Sequence, residues 1–102
     1  MGYELVERNV RFAGGEIDLI LRDGSVDVFV EVKARRAGGR ASAAVTADKR
    51  RRVGRAAAVW VARHGVAPGG CRFDVVTVEG RGSRVRLEHF PAAFEAAERW
   101  GV

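Results

Sequence analysis

The sequence predicts an α/β (α+β) domain built on a central mixed β-sheet of about five strands flanked by helices. Three observations carry this reading. EIDLILR (16–22) and VDVFVEVKA (26–34) alternate apolar and polar residues around Asp23-Gly24, a strong hairpin dipeptide. An amphipathic helical stretch follows, bounded by Thr46 and Gly65. CRFDVVTVE (71–79) then returns as a fourth strand, which makes strand–helix–strand the central connection.

Taken in order, YELVERNVRF (3–12) reads as the first strand and Ala13-Gly14-Gly15 as a tight turn into the hairpin. The loop RAGGRAS (36–42) is glycine-rich and basic. Thr46 supplies an N-cap for a helix reaching about His64, with Gly65 and Pro68 beyond it. Val53, Ala56, Ala57 and Trp60 recur at helical spacing, so they should pack on the sheet, Trp60 as a core residue. RVRLEHF (84–90) is a fifth strand, and Pro91 is expected to open a last helix, AAFEAAERW (92–100), ended by Gly101.

The chain has 102 residues, a length that suits one domain with one modest core. Hydrophobic residues make up 47% and charged residues 30%, the balance of a globular rather than a disordered chain. The longest apolar run, AAAVWVA (56–62), is too short to span a bilayer, and MGYELVERN has no apolar core for a secretion signal. A cytoplasmic protein without a membrane partner is expected. Cys71 is alone, which excludes an internal disulfide, and its expected place is the core. The net charge of +5 favours an anionic partner. Arginine is the default cation here, since only Lys33 and Lys49 are lysines. A lysine in such a chain draws attention because an amine can lose its proton and a guanidinium cannot.

The hairpin register can be tested by matching like faces. With Asp23-Gly24 as a two-residue turn and Arg22 opposite Ser25, Ile17, Leu19 and Leu21 join Val26, Val28, Val30 and Val32 on one apolar face. The other face carries Glu16, Asp18, Ile20, Phe29, Glu31 and Lys33. Glu16 then faces Glu31, with Asp18 on a diagonal of roughly 7 Å. Three carboxylates in one patch repel each other, and a divalent cation such as Mg2+ or Mn2+ would relieve the repulsion. Lys33 would orient or deprotonate an attacking water and offset charge on a phosphate. The alternative is a merely solvated face, against which Ile20 and Phe29 argue, because they call for something to cover them.

Lys49, Arg50, Arg51, Arg52 and Arg55 crowd the first turns of the long helix, where its dipole disfavours each cation by roughly 0.3–1 kcal/mol. With Arg35, Arg36 and Arg40 before them, they form a cationic track suited to a phosphate backbone. The alternative is a solvated charged helix face. Asp74, in an otherwise apolar strand, is expected to hold an arginine in place.

In RNVRFAGGEIDLILRDG (8–24), VFVEVKAR (28–35), AVTADKRRRVGRAA (44–57) and RFDVVTV (72–78), with Phe94 near the end, the sequence resembles the YraN-like family of bacterial proteins. That family is similar to the restriction-endonuclease-like, PD-(D/E)XK nuclease superfamily. The resemblance implies a restriction-endonuclease-like core, with Asp18 as the metal-binding aspartate, Glu31 as the second acidic ligand and Lys33 as the catalytic lysine. Glu16, in the family's own GEID pattern, is expected to be an auxiliary metal ligand or water-positioner. Family members usually begin with a helix carrying a further glutamate, and that N-terminal helix is absent from this sequence. If that helix normally covers one sheet face, its absence would expose apolar surface and favour a homodimer or aggregation.

The expected function is therefore a metal-dependent DNA endonuclease, or a Holliday-junction-resolvase-like nuclease of branched DNA. Asp18, Glu31 and Lys33 would act on the phosphodiester, Asp18, Glu31 and Glu16 would hold Mg2+ or Mn2+, and Arg35, Arg36, Arg40, Lys49, Arg51, Arg52 and Arg55 would grip the backbone. Two other functions remain open at this point: a non-catalytic nucleic-acid-binding module that retains the fold, and a structural domain whose basic face meets an acidic protein.

Overall fold

A computed structural model describes residues 2–12, 14–35 and 45–94, with the side chains of Arg35 and Arg81 outside the description. The expected α+β architecture is present. Strands β1 (Glu4–Phe12), β2 (Gly15–Asp23) and β3 (Val26–Arg35) precede helix α1 (Ala47–His64), and β4 (Cys71–Arg81) and β5 (Arg84–Phe94) follow it. The strands form one mixed sheet in the order β1-β2-β3-β4-β5. Only β3 and β4 are parallel, because α1 carries the chain across the sheet between them.

The β2–β3 register differs from the expected one by two residues. Asp23 pairs with Val26 and Ile20 with Phe29, leaving Gly24-Ser25 as the turn. Two features favour this pairing. Gly24 alone of the two turn residues has positive φ, at 60°, as a hairpin turn with glycine in its first central position requires. In addition, Arg22 pairs with Asp27, whose carboxylate is buried and accepts from the arginine at 2.6 and 3.0 Å. The expected register would have set Asp27 opposite an isoleucine, with its charge uncompensated.

α1 lies over β2 and β1. Thr46 caps it, its hydroxyl accepting from the Lys49 N–H at 3.1 Å, and Gly65 closes it with φ 83° and an N–H bonded to the Val61 carbonyl. Val53, Ala56, Ala57 and Trp60 bury the helix face against Val10, Ile17, Ile20, Phe29 and Phe73. Ile20 and Phe29 are thus covered, as their chemistry demanded. Ile17 belongs to this cluster too, a correction to its assignment among the valines. Isoleucines three residues apart cannot share a face of a strictly alternating strand, so β2 changes its facing around Asp18.

Pro91 does not open a helix, contrary to the expectation. β5 continues through it to Phe94, and the remainder of AAFEAAERW lies outside the described residues. The cause is Asp74. Between Phe73↔Phe94 and Val75↔Phe90 the ladder slips, and in that irregularity Ala92 adopts φ 50° and donates its N–H to the Asp74 carboxylate at 2.9 Å. Asp74 is completely buried, and Arg72 and His89 complete its shell at 2.7–3.1 Å. Burial would raise its pKa, but these donors outweigh that and hold it below the usual carboxylate value. Asp74 does hold an arginine, and it also fixes the path of the last strand.

Gly15 marks the closest approach of β2 to α1. A Cβ there would lie 2.5 Å from the Arg52 carbonyl oxygen and 2.8 Å from the Ala56 nitrogen. Gly15→Ala is expected to push helix and hairpin apart and lower unfolding free energy by about 1–3 kcal/mol; an unchanged urea midpoint would contradict this packing.

Candidate active site

The site forms where β2 leaves β3. Their paired residues end at Leu19↔Val30, and one step further Asp18 stands opposite Glu31. There the Asp18 side chain replaces a strand partner: its Oδ2 accepts the Val32 N–H at 2.8 Å. That bond fixes the carboxylate beside Glu31, on the face that α1 covers.

Glu31 is 5% exposed, and no protein donor reaches its buried Oε2, although when Glu31 is protonated its carboxyl shares a hydrogen bond with Asp18. Burial, followed by the neighbouring Asp18 charge, pushes its pKa up to about 7. The opposing influence is Lys49, whose Nζ lies 3.3 Å from Glu31 Oε1. The same ammonium donates to Glu16 Oε1 at 3.0 Å, and Arg52 joins that oxygen at 3.1 Å. The Lys49 hydrogen bond and charge hold the Glu16 carboxyl below its usual range. Burial alone would depress Lys49, yet Glu16 and Glu31 together raise its pKa. A cavity of about 230 Å3 opens beside these groups, lined by Glu31, Lys33, Val45, Thr46 and Lys49. The capped N-terminus of α1 therefore borders it, with the dipole end that attracts anions.

Asp18, Glu31 and Lys33 thus share one patch. Glu16, expected opposite Glu31, does not face it in this register; it is held by Lys49 and Arg52 of α1, and the Lys49 ammonium bridges it to Glu31. Among the described residues no three His, Cys, Asp or Glu side chains gather as a metal cage. Two carboxylates, one with an orphaned buried oxygen, still fit a hard cation such as Mg2+, which takes one or two carboxylates and fills its shell with water and phosphate oxygens.

Lys49 enters the site from outside the motif, and sequence reading had placed it in the backbone-binding track. The available signal was its being one of only two lysines in an arginine-rich chain. Of the other basic residues, Arg51 and Arg52 are about half exposed while pairing with Asp48 and Glu16, and Arg55 is exposed beside Gly14. Arg36 and Arg40 lie outside the described residues, as does the Arg35 side chain. Cys71 packs against the core, and burial raises its thiol pKa, which argues against a nucleophilic role.

Residues 1–78 match the uncharacterised protein family UPF0102. The chain belongs to that family. A UPF0102 protein of Symbiobacterium thermophilum is 53% identical over 98 residues, covering 93% of this chain and 83% of the relative. One from Geobacter metallireducens is 44% identical over 93% of this chain and 80% of its own length. A third, from Yersinia pseudotuberculosis, is 51% identical over 84% of this chain and 74% of the relative. Among the described residues of this UPF0102 chain, no helix is long and apolar enough to cross a membrane.

The raised pKa of Glu31 has a stability consequence. The folded chain holds this proton more tightly than the unfolded one, so Glu31 favours folding at low pH, and that contribution is lost as pH rises from about 4.5 through about 7. Glu31→Gln, which cannot ionise, should gain melting temperature relative to wild type across this interval. A pH-independent difference between the two would refute the assignment.

Proposed function

We propose that this UPF0102 protein is a divalent-metal-dependent nuclease that hydrolyses phosphodiester bonds in DNA. The observation carrying this reading is the apposition of half-buried Asp18 and buried Glu31, from neighbouring strands, with Glu31 on the wall of a cavity that Lys33 and Lys49 also line. Structural economy opposes such an arrangement, since two carboxylates at a desolvated point destabilise the fold. A bound Mg2+ or Mn2+ ion would polarise the phosphodiester and lower the pKa of a coordinated water.

The remaining work belongs to side chains of the protein. Asp18, held by the Val32 N–H, and Glu31 would hold the cation, the orphaned Glu31 oxygen acting as one of its donors. Lys33, on the cavity wall, would orient the attacking water and offset charge growing on the phosphate. Glu16 supports this set through Lys49 rather than as a ligand. Arg51, Arg52 and Arg55, together with Arg35, Arg36 and Arg40, would hold the phosphate backbone. Branched DNA is the substrate form suggested by the resemblance to junction resolvases. Phosphate contacts by themselves carry no base specificity.

Purified protein is expected to nick linear, flapped or four-way DNA only with Mg2+ or Mn2+, and Asp18→Ala or Lys33→Ala should each cost at least roughly a hundredfold in rate. Absence of cleavage on all three substrates with both metals would reduce the reading to a DNA-binding module. Metal-free DNA binding should survive Asp18→Ala. In contrast, the double change Arg51→Ala and Arg52→Ala should weaken binding and flatten its salt dependence. Affinity insensitive to salt would instead favour an acidic protein as the partner.

A further inference from the structure

We propose that Lys49 is the resident counter-cation of Glu31, the acid beside Asp18, giving up Glu31 when a divalent ion arrives and remaining at the cavity on Glu16 to bind the substrate phosphate. This inference rests on the reading of Asp18 and Glu31 as the metal seat. Its basis is a shared ammonium. Lys49 Nζ reaches Glu16 Oε1 at 3.0 Å and Glu31 Oε1 at 3.3 Å, and all three groups come from different elements.

The two anchors are unequal. Glu31 is 6% exposed at its side chain, so its ionised form depends on a nearby cation; Glu16 is 27% exposed and has Arg52 as a second partner. A divalent ion on Glu31 would repel the ammonium strongly at such short range. It would also remove the need for it, since one cation would replace another on a carboxylate that water scarcely reaches. Glu16 is then the nearby anion that keeps Lys49 in place. Lys49 lines the same cavity as Lys33, so an ammonium released from Glu31 stays within reach of a phosphate entering there. The lysine thus performs two successive tasks, stabilising the acids before loading and the substrate afterwards. A compact ammonium suits this exchange better than a guanidinium fork, whose bidentate grip on a carboxylate is harder to displace.

The test uses the intact chain and Mn2+ alone, by calorimetric titration without DNA. Lys49→Met should bind Mn2+ roughly tenfold more tightly than wild type. Lys49→Gln should do the same and serves if the methionine variant folds poorly. Arg11→Ala, which removes the positive charge paired with Glu16 across β1 and β2, should stay within roughly twofold. Equal tightening in Arg11→Ala, or none in either Lys49 variant, overturns the inference, while loss of Mn2+ binding in Asp18→Ala would still uphold the metal seat. Mn2+ binding unaffected by Asp18→Ala overturns the seat itself, and this inference with it. A second measurement addresses the other half of the proposal. Lys49→Met should weaken DNA affinity severalfold in Ca2+ but leave it unchanged in a chelator, where Glu31 holds the ammonium; equal weakening in both conditions counts against the exchange.

Discussion

One hydrogen bond sets the geometry on which the candidate site depends: the Val32 N–H donating to the Asp18 carboxylate at 2.8 Å. It forms where paired residues of β2 and β3 give out, so a side chain takes over an acceptor role that a strand carbonyl would otherwise fill. The bond also holds a negative charge beside Glu31, in a place too dry to tolerate two. The rest of the local structure answers that problem. Glu31 keeps its proton to about pH 7, and α1 extends Lys49 into the gap. The helix that covers Ile20 and Phe29 therefore also brings a cation to Glu31 and Glu16 beyond them.

A second buried carboxylate, Asp74, shows the opposite treatment of the same kind of charge. It receives Arg72, His89 and a main-chain N–H, so every demand is met within the protein and its pKa falls. Arg72 extends the network to Tyr3 and Asp23, joining the chain's N-terminal segment to the last strand pair. Such full satisfaction is the signature of a structural charge. Glu31, with one oxygen unpartnered and a second acid alongside, bears the opposite signature. The contrast within one small domain is the strongest physical reason for proposing chemistry at one acid and assigning architecture to the other.

Much of the fold was legible because period and punctuation are local. Alternation placed β1 to β4, and Thr46 with Gly65 bounded α1 to within a residue. The hairpin register was harder to read. The Asp-Gly dipeptide favours a turn by its own conformational preference, but the ion pair of Arg22 with buried Asp27 and Gly24 in the first turn position give the pairing seen here. Pro91 looked like a helix start for a similar reason. Its constraint on φ suits a strand as well, and the deciding partner, Asp74, lies far away in sequence.

The amino-acid order alone determined strands β1 to β4 and helix α1, which face of α1 would be apolar, and, by alternation along β3, that Glu31 and Lys33 would fall on one side of the sheet. Tertiary structure decided what those charges meet. The change of facing at Asp18, the assignment of Glu16 to the helix and the sharing of Lys49 between two acids all arise from α1 settling over β2, and the strength of a charge contact depends on separation in space and exclusion of water, neither of which is written in spacing along the chain.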